Sequence, residues 1–389
     1  MEALQFDPAK IFVCLALLGF TGLLVRLYNA LVVKPERLRS ALRKQGITGP
    51  PPTLLLGNIR EIKKARSTSV NVAPAGESPV SHNCASLLFP FFEQWRKTYG
   101  NLFVFSLGNT QILFINKPDI VREITTCTSL DLGKPSYQQK DRGVLLGQGI
   151  LTSNGAIWAH QRKVFAPELY MEKVKGMMNL ITESTITLLN SWKSRIETED
   201  GTTTAVSATW CLMLLGSNQE WQDRVRAEVL DICRGGNPDA DMLRKMKQLT
   251  MVIHESLRLY PPVPVVSREA LKDMKFGDID IPKGVNLWTL VLTSHTDPEI
   301  WGPDAYKFNP ERFANGITGA CSLPHLYMPF GVGPRVCLGQ NLAMVELKIL
   351  IALLVSNFSF SLSPKYSHAP ALGLVIEPEH GVDLLVQKL

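Results

Sequence analysis

Residues 329–339 read PFGVGPRVCLG, and the chain continues directly into an apolar stretch at 338–357, LGQNLAMVELKILIALLVSN. Gly331 and Gly333 permit a tight turn and a close approach of the backbone to a flat ligand. The stretch that follows is apolar on nearly every side, which predicts a helix buried in the core of a folded domain. The sequence therefore predicts a glycine-rich turn that presents Arg335 and Cys337 at the start of a core helix.

Cys337 is a candidate metal ligand because of this position. Backbone N–H groups and the helix dipole at a helix start favour a thiolate over a thiol. A thiolate suits haem iron, where its electron donation favours O–O cleavage, and Arg335 could pair with a carboxylate of the porphyrin. A lone cysteine is more often a small buried hydrophobic residue, but the spacing of the glycines and the arginine favours the ligand.

The pattern resembles the haem-binding loop of the cytochromes P450, which reads Phe-x-x-Gly-x-Arg-x-Cys-x-Gly. The matching residues are Phe330, Gly333, Arg335, Cys337 and Gly339. The resemblance implies that Cys337 is the axial thiolate ligand of haem b and that Phe330 packs beside it. It extends over nearly the whole chain and implies a mainly α fold with minor β structure.

A helical stretch ending in HESLRLYPP carries a second resemblance. Glu255 and Arg258 stand three residues apart and so share one helix face, and an ordinary surface pair of this kind is common. The stretch is similar to the family's Glu-x-x-Arg helix, and FNPERF at 308–313 is similar to its partner. The resemblance implies a buried charge triad of Glu255, Arg258 and Arg312 that locks the core beside the haem.

Three more residues resemble the family's contacts to the haem propionates. Trp158 and Arg162 lie four residues apart on one helix face and look like the family's Trp-x-x-x-Arg pair, although a tryptophan on such a face can also be a plain core residue. Arg268, after PPVPVVS, resembles another propionate contact. His160, His254 and His295 share no metal-ligand spacing and are predicted to be structural.

The amino terminus predicts a membrane anchor. Residues 11–25 are uncharged and apolar, and the apolar character continues after Arg26 to Val33, so the span could cross a bilayer. A cleaved signal peptide fits less well because a basic n-region is missing. The positive-inside rule then places the body in the cytosol, since basic residues follow the span: Lys34, Arg37, Arg39, Arg43 and Lys44.

The domain organisation that follows has three parts. Residues 1–33 form the anchor, residues 34–58 a basic and proline-rich hinge, and residues 59–389 a haem-thiolate domain. The 389 residues carry 41 basic and 35 acidic side chains, an excess too diffuse to indicate a nucleic-acid partner. The seven cysteines are scattered and form no CxxC pair, which argues against a disulfide framework or a zinc site.

Local patterns predict the order of elements. Residues 67–86 read as a surface loop, and NLFVFSLGNTQILFI predicts a β-hairpin. Helices are expected at 118–127, 156–168 and 171–196, and DADMLRKMKQLTMVIHESLRLYPPVP predicts one long helix with an aspartate cap and a double-proline stop. Short strands are expected at 263–293 and at the carboxyl terminus.

Residues 195–214, RIETEDGTTTAVSATWCLML, join a charged half to a half that reads as a buried helix. In the cytochromes P450 the corresponding helix crosses the distal face of the haem with two small residues and an acid–threonine pair. Aligning Thr203 with that threonine implies a role in oxygen activation, but it puts Glu199 and Asp200 at the small positions. We therefore expect an internal deletion near 197–204 that removes part of the central helices. Glu199 or Asp200 as a displaced proton donor is the less favoured alternative, because buried charges there are costly.

The resemblance implies monooxygenation of an apolar, terpenoid or hormone-like small molecule, with electrons from NADPH through NADPH-cytochrome P450 reductase. Its details look most like plant microsomal members that oxidise gibberellins and brassinosteroids, which implies the endoplasmic reticulum membrane. Because the distal motif is interrupted, activity is in doubt. The alternative is a non-catalytic membrane protein with little or no haem. Thiolate–haem chemistry without activation of external O2, such as peroxide isomerisation, is a third possibility.

Overall fold

The computed structural model describes residues 8–70, 82–194 and 203–389 of the chain. The fold is mainly α with minor β structure, as the sequence predicted. Its α-helices are, in chain order, α1 (Pro8–Tyr28), α2 (Lys34–Arg43), α3 (Ile59–Val70), α4 (Cys84–Leu88), α5 (Pro90–Tyr99), α6 (Pro118–Thr126), α7 (Ser136–Leu146), α8 (Gly155–Phe165), α9 (Met171–Ser194), α10 (Thr203–Ser217), α11 (Gln219–Cys233), α12 (Ala240–Lys245), α13 (Lys247–Leu259), α14 (Val291–Thr296), α15 (Pro298–Trp301), α16 (Ile317–Ala320) and α17 (Gln340–Asn357).

The β structure lies mainly in one five-stranded sheet with the order β1-β2-β7-β4-β3. The predicted hairpin is confirmed: β1 and β2 are antiparallel and pair Leu102 with Ile115. Three two-stranded sheets, β5–β6, β8–β11 and β9–β10, complete the described β structure. The strands are β1 (Leu102–Leu107), β2 (Thr110–Ile115), β3 (Leu132–Gly133), β4 (Val265–Ala270), β5 (Met274–Phe276), β6 (Ile279–Ile281), β7 (Asn286–Leu290), β8 (Phe358–Leu362), β9 (Pro370–Leu372), β10 (Ile376–Pro378) and β11 (Leu384–Lys388).

The apolar helix α17 lies in the core, as predicted. It packs against α9, α10, α11 and α13, and Ile349 and Ile351 are fully buried. Burying a side chain of this size is favourable by about 1.5–3 kcal/mol. Since α17 follows the PFGVGPRVCLG turn, this packing fixes the position of the turn.

Most of the amino-terminal helix α1 is exposed in the described structure, and Leu18 is 70% exposed. A π-helical segment at Asn29–Val33 joins α1 to α2. The helical span Phe12–Arg43 is long and apolar enough to cross a membrane; Gln340–Asn357 also meets that test but is a core helix. Lys34–Arg43 begins the predicted hinge segment as a helix that packs on the body through Leu42.

Two local predictions were wrong in part. The expected loop at 67–86 contains the end of α3 and the first three residues of α4, because Cys84 and Ala85 are buried and the Asn83 side chain accepts a hydrogen bond from the Ser86 N–H at 3.2 Å. Residues 71–81 lie outside the described residues.

The single long helix predicted before Pro261 is two helices, α12 and α13, separated at Met246. The predicted aspartate cap is confirmed, since the Asp239 carboxylate accepts from the Met242 N–H at 2.8 Å. The break has a tertiary cause. Glu228 on α11 accepts from the N–H groups of Gln248 and Leu249 at 2.8 and 3.0 Å and so caps α13 from another element.

Candidate cofactor site

The PFGVGPRVCLG turn has the conformation that its glycines permit. Gly331 and Gly333 have φ values of +73° and +74°, a region that favours glycine. A Cβ at Gly333 would lie 2.1 Å from the carbonyl oxygen of Thr125 at the end of α6. The turn is closed by the Cys337 N–H, which donates to the Phe330 carbonyl at 2.7 Å. Phe330 and Cys337 are thereby held side by side in front of α17.

Cys337 is exposed, and α17 begins three positions later, at Gln340. Partial loss of water around the thiol raises its pKa, while a hydrogen bond from the Gly339 backbone and the charge of Arg162 act to lower it. The backbone at the helix start thus acts on the pKa of Cys337 in the expected direction, but burial outweighs it in the free thiol. A bound metal cation deprotonates a coordinating thiol outright, so the raised pKa is compatible with a ligand role.

Gly339 has open space where a side chain would be, with no atom within 4 Å of a built Cβ. Its φ of −89° is accessible to any residue. The packing of the chain therefore does not require glycine here, unlike at Gly333.

Trp158 links α8 to the turn. Its ring is buried and lies 4.0 Å from the guanidinium carbon of Arg335 and 5.8 Å from that of Arg162. Arg162 Nη1 donates to the Val336 carbonyl at 2.9 Å. The structure thus brings Trp158, Arg162 and Arg335 together beside the residue that precedes Cys337. The contact between Arg335 and the Trp158 face is a cation–π interaction that the sequence did not predict.

Four cations cluster at this place: Lys134, Arg162, Arg268 and Arg335. Burial, with a smaller contribution from Arg335, lowers the pKa of Arg268 to about 10. Burial and the charges of the three arginines lower the pKa of Lys134 to about 8. Lys134 was not predicted, because only the tertiary fold brings the loop after β3 to α8; its ammonium donates to the Ile150 carbonyl.

The cluster fits an anionic group. Both terminal nitrogens of Arg335 are buried without a hydrogen-bond partner among the described residues, and the Arg268 guanidinium donates to its neighbour, the Ser267 carbonyl, at 2.8 Å. Burial and the charge of Arg162 lower the pKa of Arg335. Buried guanidinium donors of this kind are costly unless an acceptor is bound. A flat ligand with two carboxylates, such as haem, would supply the acceptors.

Glu255, Arg258 and Arg312 meet in the interior. Arg258 forms a two-pronged ion pair with Glu255, with N–O distances of 2.7 and 2.8 Å, and both side chains are fully buried. Arg312 Nε lies 3.6 Å from Glu255 Oε1. Sequence reasoning missed Asp304, whose carboxylate is 2.6 Å from Arg312 Nη2. Burial acts to raise the pKa of Asp304, but hydrogen bonds from Arg312 and Asn309 lower it overall.

The buried His295 and the half-buried His254 support the same region. His295 lies between α13 and the turn: its Nε2 accepts from the Met328 N–H at 2.9 Å, and its Nδ1 is 3.1 Å from the Arg258 carbonyl. His254 Nδ1 is 2.9 Å from the Tyr327 hydroxyl. Both ring systems are engaged by the protein itself, whereas His160 is exposed.

Thr203 is not brought to the turn by any hydrogen bond among the described residues. It is the exposed first residue of α10, and its carbonyl accepts from Ser207 at 2.9 Å. Most of α10 from Val206 to Gly216 is buried, and Trp210 stacks on Tyr260 with centroids 4.2 Å apart. Glu199 and Asp200 lie outside the described residues.

Comparison with known proteins agrees with this geometry. The family model described as Cytochrome P450 matches residues 83–202 and 200–384. The chain is 40% identical to Cytochrome P450 714C2 of Oryza sativa subsp. japonica, with 97% of each chain covered. It is 34% identical to Cytochrome P450 714A2 of Arabidopsis thaliana, covering 99% of this chain and 100% of the relative. For Cytochrome P450 714B3 of Zea mays the identity is 36%, covering 100% and 98%.

The chain is shorter than these relatives. The alignment with the rice protein extends over 513 positions, although this chain has 389 residues. The two segments matched by the family model meet at 200–202, inside the stretch that joins α9 to α10. The glycine turn presents Cys337 beside Arg335, whose buried terminal nitrogens have no hydrogen-bond partner among the described residues. Together with the family-model match over nearly the full length, these observations assign the protein: the chain belongs to the cytochrome P450 family.

Proposed function

We propose that the protein is a haem-thiolate monooxygenase anchored in the endoplasmic reticulum membrane, with its body in the cytosol. The observation that carries the proposal is the pair of buried terminal nitrogens of Arg335, next to the Cys337 turn, which have no hydrogen-bond partner in the described part of the chain. Haem bound here, with electrons from NADPH through NADPH-cytochrome P450 reductase, supplies reductive activation of O2 and insertion of one oxygen atom into an apolar substrate. The substrate class we propose is a terpenoid or hormone-like small molecule.

The roles of the residues follow from their positions. Cys337 supplies the thiolate, and the backbone of Phe330 and Gly339 positions it. Arg162, Arg268 and Arg335 hold the two propionates, while Trp158 supports the guanidinium of Arg335 from one face. Glu255, Arg258 and Arg312 fix the loop at 304–312 against α13. Thr203 is the proposed donor for oxygen activation, at the amino-terminal end of α10.

A second candidate function is a non-catalytic membrane protein with little or no haem. The observation that favours it is the meeting of the two family-model segments at 200–202, together with the short chain. We propose that an internal deletion near 197–204 removes the first part of the distal helix and the roof of the substrate pocket. Such a chain would keep the thiolate side of the site and lose much of its oxygen-activating side.

The reduced, carbon-monoxide-bound absorption spectrum separates the two candidates. Thiolate-ligated haem gives a strongly red-shifted Soret band in the purified full chain, and Cys337→Ala removes that shift. Absence of haem uptake by the folded wild-type chain would support the non-catalytic candidate. Equal haem binding and an unchanged spectrum in Cys337→Ala would overturn the assignment of Cys337. Sequencing the transcript across 196–205 tests the deletion.

A further inference from the structure

Helix α2 connects the apolar amino-terminal helix to the body and is firmly fixed there. Leu42 is fully buried, and the Arg39 guanidinium donates to the Pro50 carbonyl at 2.7 Å and the Val104 carbonyl at 3.2 Å. Just beyond the helix, Gln45 and Asp280 exchange two hydrogen bonds of 2.8 Å between the Gln45 amide and the Asp280 backbone. The orientation of α2 relative to the β5–β6 hairpin is therefore well defined.

The basic residues of this segment fall into two groups. Arg39 is buried and donates hydrogen bonds to backbone carbonyls of the body, and Arg43 pairs with Glu36 at 3.1 Å. Lys34, Arg37 and Lys44 are exposed, and no side-chain hydrogen bond or ion pair to the described part of the chain involves them. At about 100° per residue these three cations lie within roughly 80° of one another around the helix axis. They form one positively charged face.

A groove of about 450 Å³ opens between this face and the end of β6. It is lined by Arg37, Ser40 and Lys44 on the helix side and by Gln45 and Asp280 on the hairpin side. The Asp280 carboxylate has no partner in the described chain either, since only the backbone of Asp280 is engaged by Gln45. The groove thus offers two free cations and one free anion.

The Arg37 end of the groove lies at the depth of the lipid headgroups. Arg37 is four residues past Val33, about 6 Å along a helix, and the headgroup layer is about 5–8 Å thick on each side of the hydrocarbon core. Lys44 is eleven residues past Val33, about 16 Å along the helix, and its long side chain reaches back toward the headgroup layer because the Cα–Cβ bonds of a helix tilt toward its amino terminus, here the membrane side.

We propose that the groove binds the headgroup of phosphatidylserine in the leaflet that α1 crosses. Arg37 binds the phosphate, Lys44 the serine carboxylate and Asp280 the serine ammonium. Guanidinium–phosphate pairs are strong and directional, and cations just outside a membrane span attract anionic lipids. The inference rests on the membrane anchor of the proposed function. Its consequence is a fixed tilt of the body on the bilayer, because α2 is rigidly held.

Binding of short-chain lipids to the detergent-solubilised full chain tests the proposal. The probes are dihexanoyl-phosphatidylserine, dihexanoyl-phosphatidylglycerol, dihexanoyl-phosphatidylcholine and inorganic phosphate. We expect saturable binding that is tightest for phosphatidylserine and about thirty-fold weaker in Arg37→Gln/Lys44→Gln. The charge-matched control, Lys245→Gln/Lys247→Gln on α12 and α13, should bind as the wild type does. Asp280→Asn should abolish the preference for phosphatidylserine over phosphatidylglycerol.

Three results would overturn the proposal: undiminished binding by Arg37→Gln/Lys44→Gln, equal binding of phosphatidylcholine, or inorganic phosphate binding as tightly as the lipid. Absence of lipid binding would also overturn it and assign the face to a protein partner. Resistance of the membrane-bound chain to alkaline carbonate extraction is measured separately. Extraction of the chain by carbonate would contradict the proposed membrane anchor. A chain that resists extraction but shows no preference for phosphatidylserine would contradict only the proposed lipid binding by the groove.

Discussion

At the scale of single residues, two glycines of the same turn have different roles. Gly331 and Gly333 have nearly the same positive φ. A Cβ at Gly331 would meet its nearest atom at 3.8 Å, whereas one at Gly333 would lie 2.1 Å from the Thr125 carbonyl. The first position therefore requires glycine for conformation alone, and the second also for the approach of α6.

This difference predicts unequal costs for two matched variants. Gly331→Ala should lower the free energy of unfolding by about 1–2 kcal/mol, the cost of a left-handed residue. Gly333→Ala should cost clearly more, because backbone atoms of α6 must also move. Urea unfolding of both variants measures the difference. Equal losses of unfolding free energy in the two variants would show that the Thr125 carbonyl moves away from the added methyl group without measurable cost.

The Arg335 side chain should destabilise the haem-free protein but strengthen the binding of haem. Its terminal nitrogens are buried and have no hydrogen-bond partner within the described ranges, so Arg335→Gln should leave the melting temperature of the haem-free chain unchanged or raised. The same variant should retain several-fold less haem than the wild type, because a propionate loses a charged donor. Thermal melts and haem-to-protein ratios measure the two effects. The exposed Arg244→Gln serves as the control, and unchanged haem retention in Arg335→Gln would contradict the prediction.

At the scale of elements, a network of buried charges joins α13 to the loop before α16. Glu255 accepts from Arg258 and from the Asn309 N–H at 2.8 Å. Arg258 also donates to the His295 and Ala305 carbonyls at 2.8 and 2.7 Å. Each charged side chain of this network depends on its partners, because an uncompensated buried charge is strongly unfavourable.

Glu255→Gln should therefore lower the free energy of unfolding by about 3–5 kcal/mol, because it leaves Arg258 and Arg312 without their buried carboxylate. Asp241→Asn, which removes an exposed carboxylate beside Arg244, should change it by less than about 1 kcal/mol. Chemical denaturation of both variants is the measurement. A loss below about 1 kcal/mol in Glu255→Gln would show that water or Asp304 replaces the carboxylate.

At the scale of the whole molecule, buried and half-buried histidines connect distant parts of the chain. His82 Nδ1 lies 2.6 Å from the Tyr260 hydroxyl, which is 3.2 Å from His368 Nε2. Burial, with smaller contributions from other groups, lowers the pKa of His82 and His254 to about 4 and of His295 to about 3. Burial alone lowers the pKa of His368 to about 4. All four are neutral in the folded chain at neutral pH.

These shifts predict stability that falls in mild acid. Each histidine has a lower pKa folded than unfolded, so the unfolded chain binds more protons between about pH 6.5 and 4. The stabilisation is fully present above pH 6.5 and is lost as the pH falls toward 4, by at most about 1.4 kcal/mol per pH unit for each histidine. His368→Gln should reduce the slope of unfolding free energy against pH, and the exposed His160→Gln should not. Identical slopes for wild type and His368→Gln would contradict the prediction.

The sequence by itself determined the glycine turn that carries Cys337, most of the helix and strand pattern around it, the apolar amino-terminal span and the family, because these depend on local spacing and periodicity. Only the tertiary structure decided that Lys134 joins the cation cluster, that Asp304 joins the charge network and that Glu228 divides the helix before Pro261. Each of these needs side chains from separate elements at hydrogen-bond or ion-pair distance. Long-range packing sets such distances, whereas local sequence patterns do not encode them.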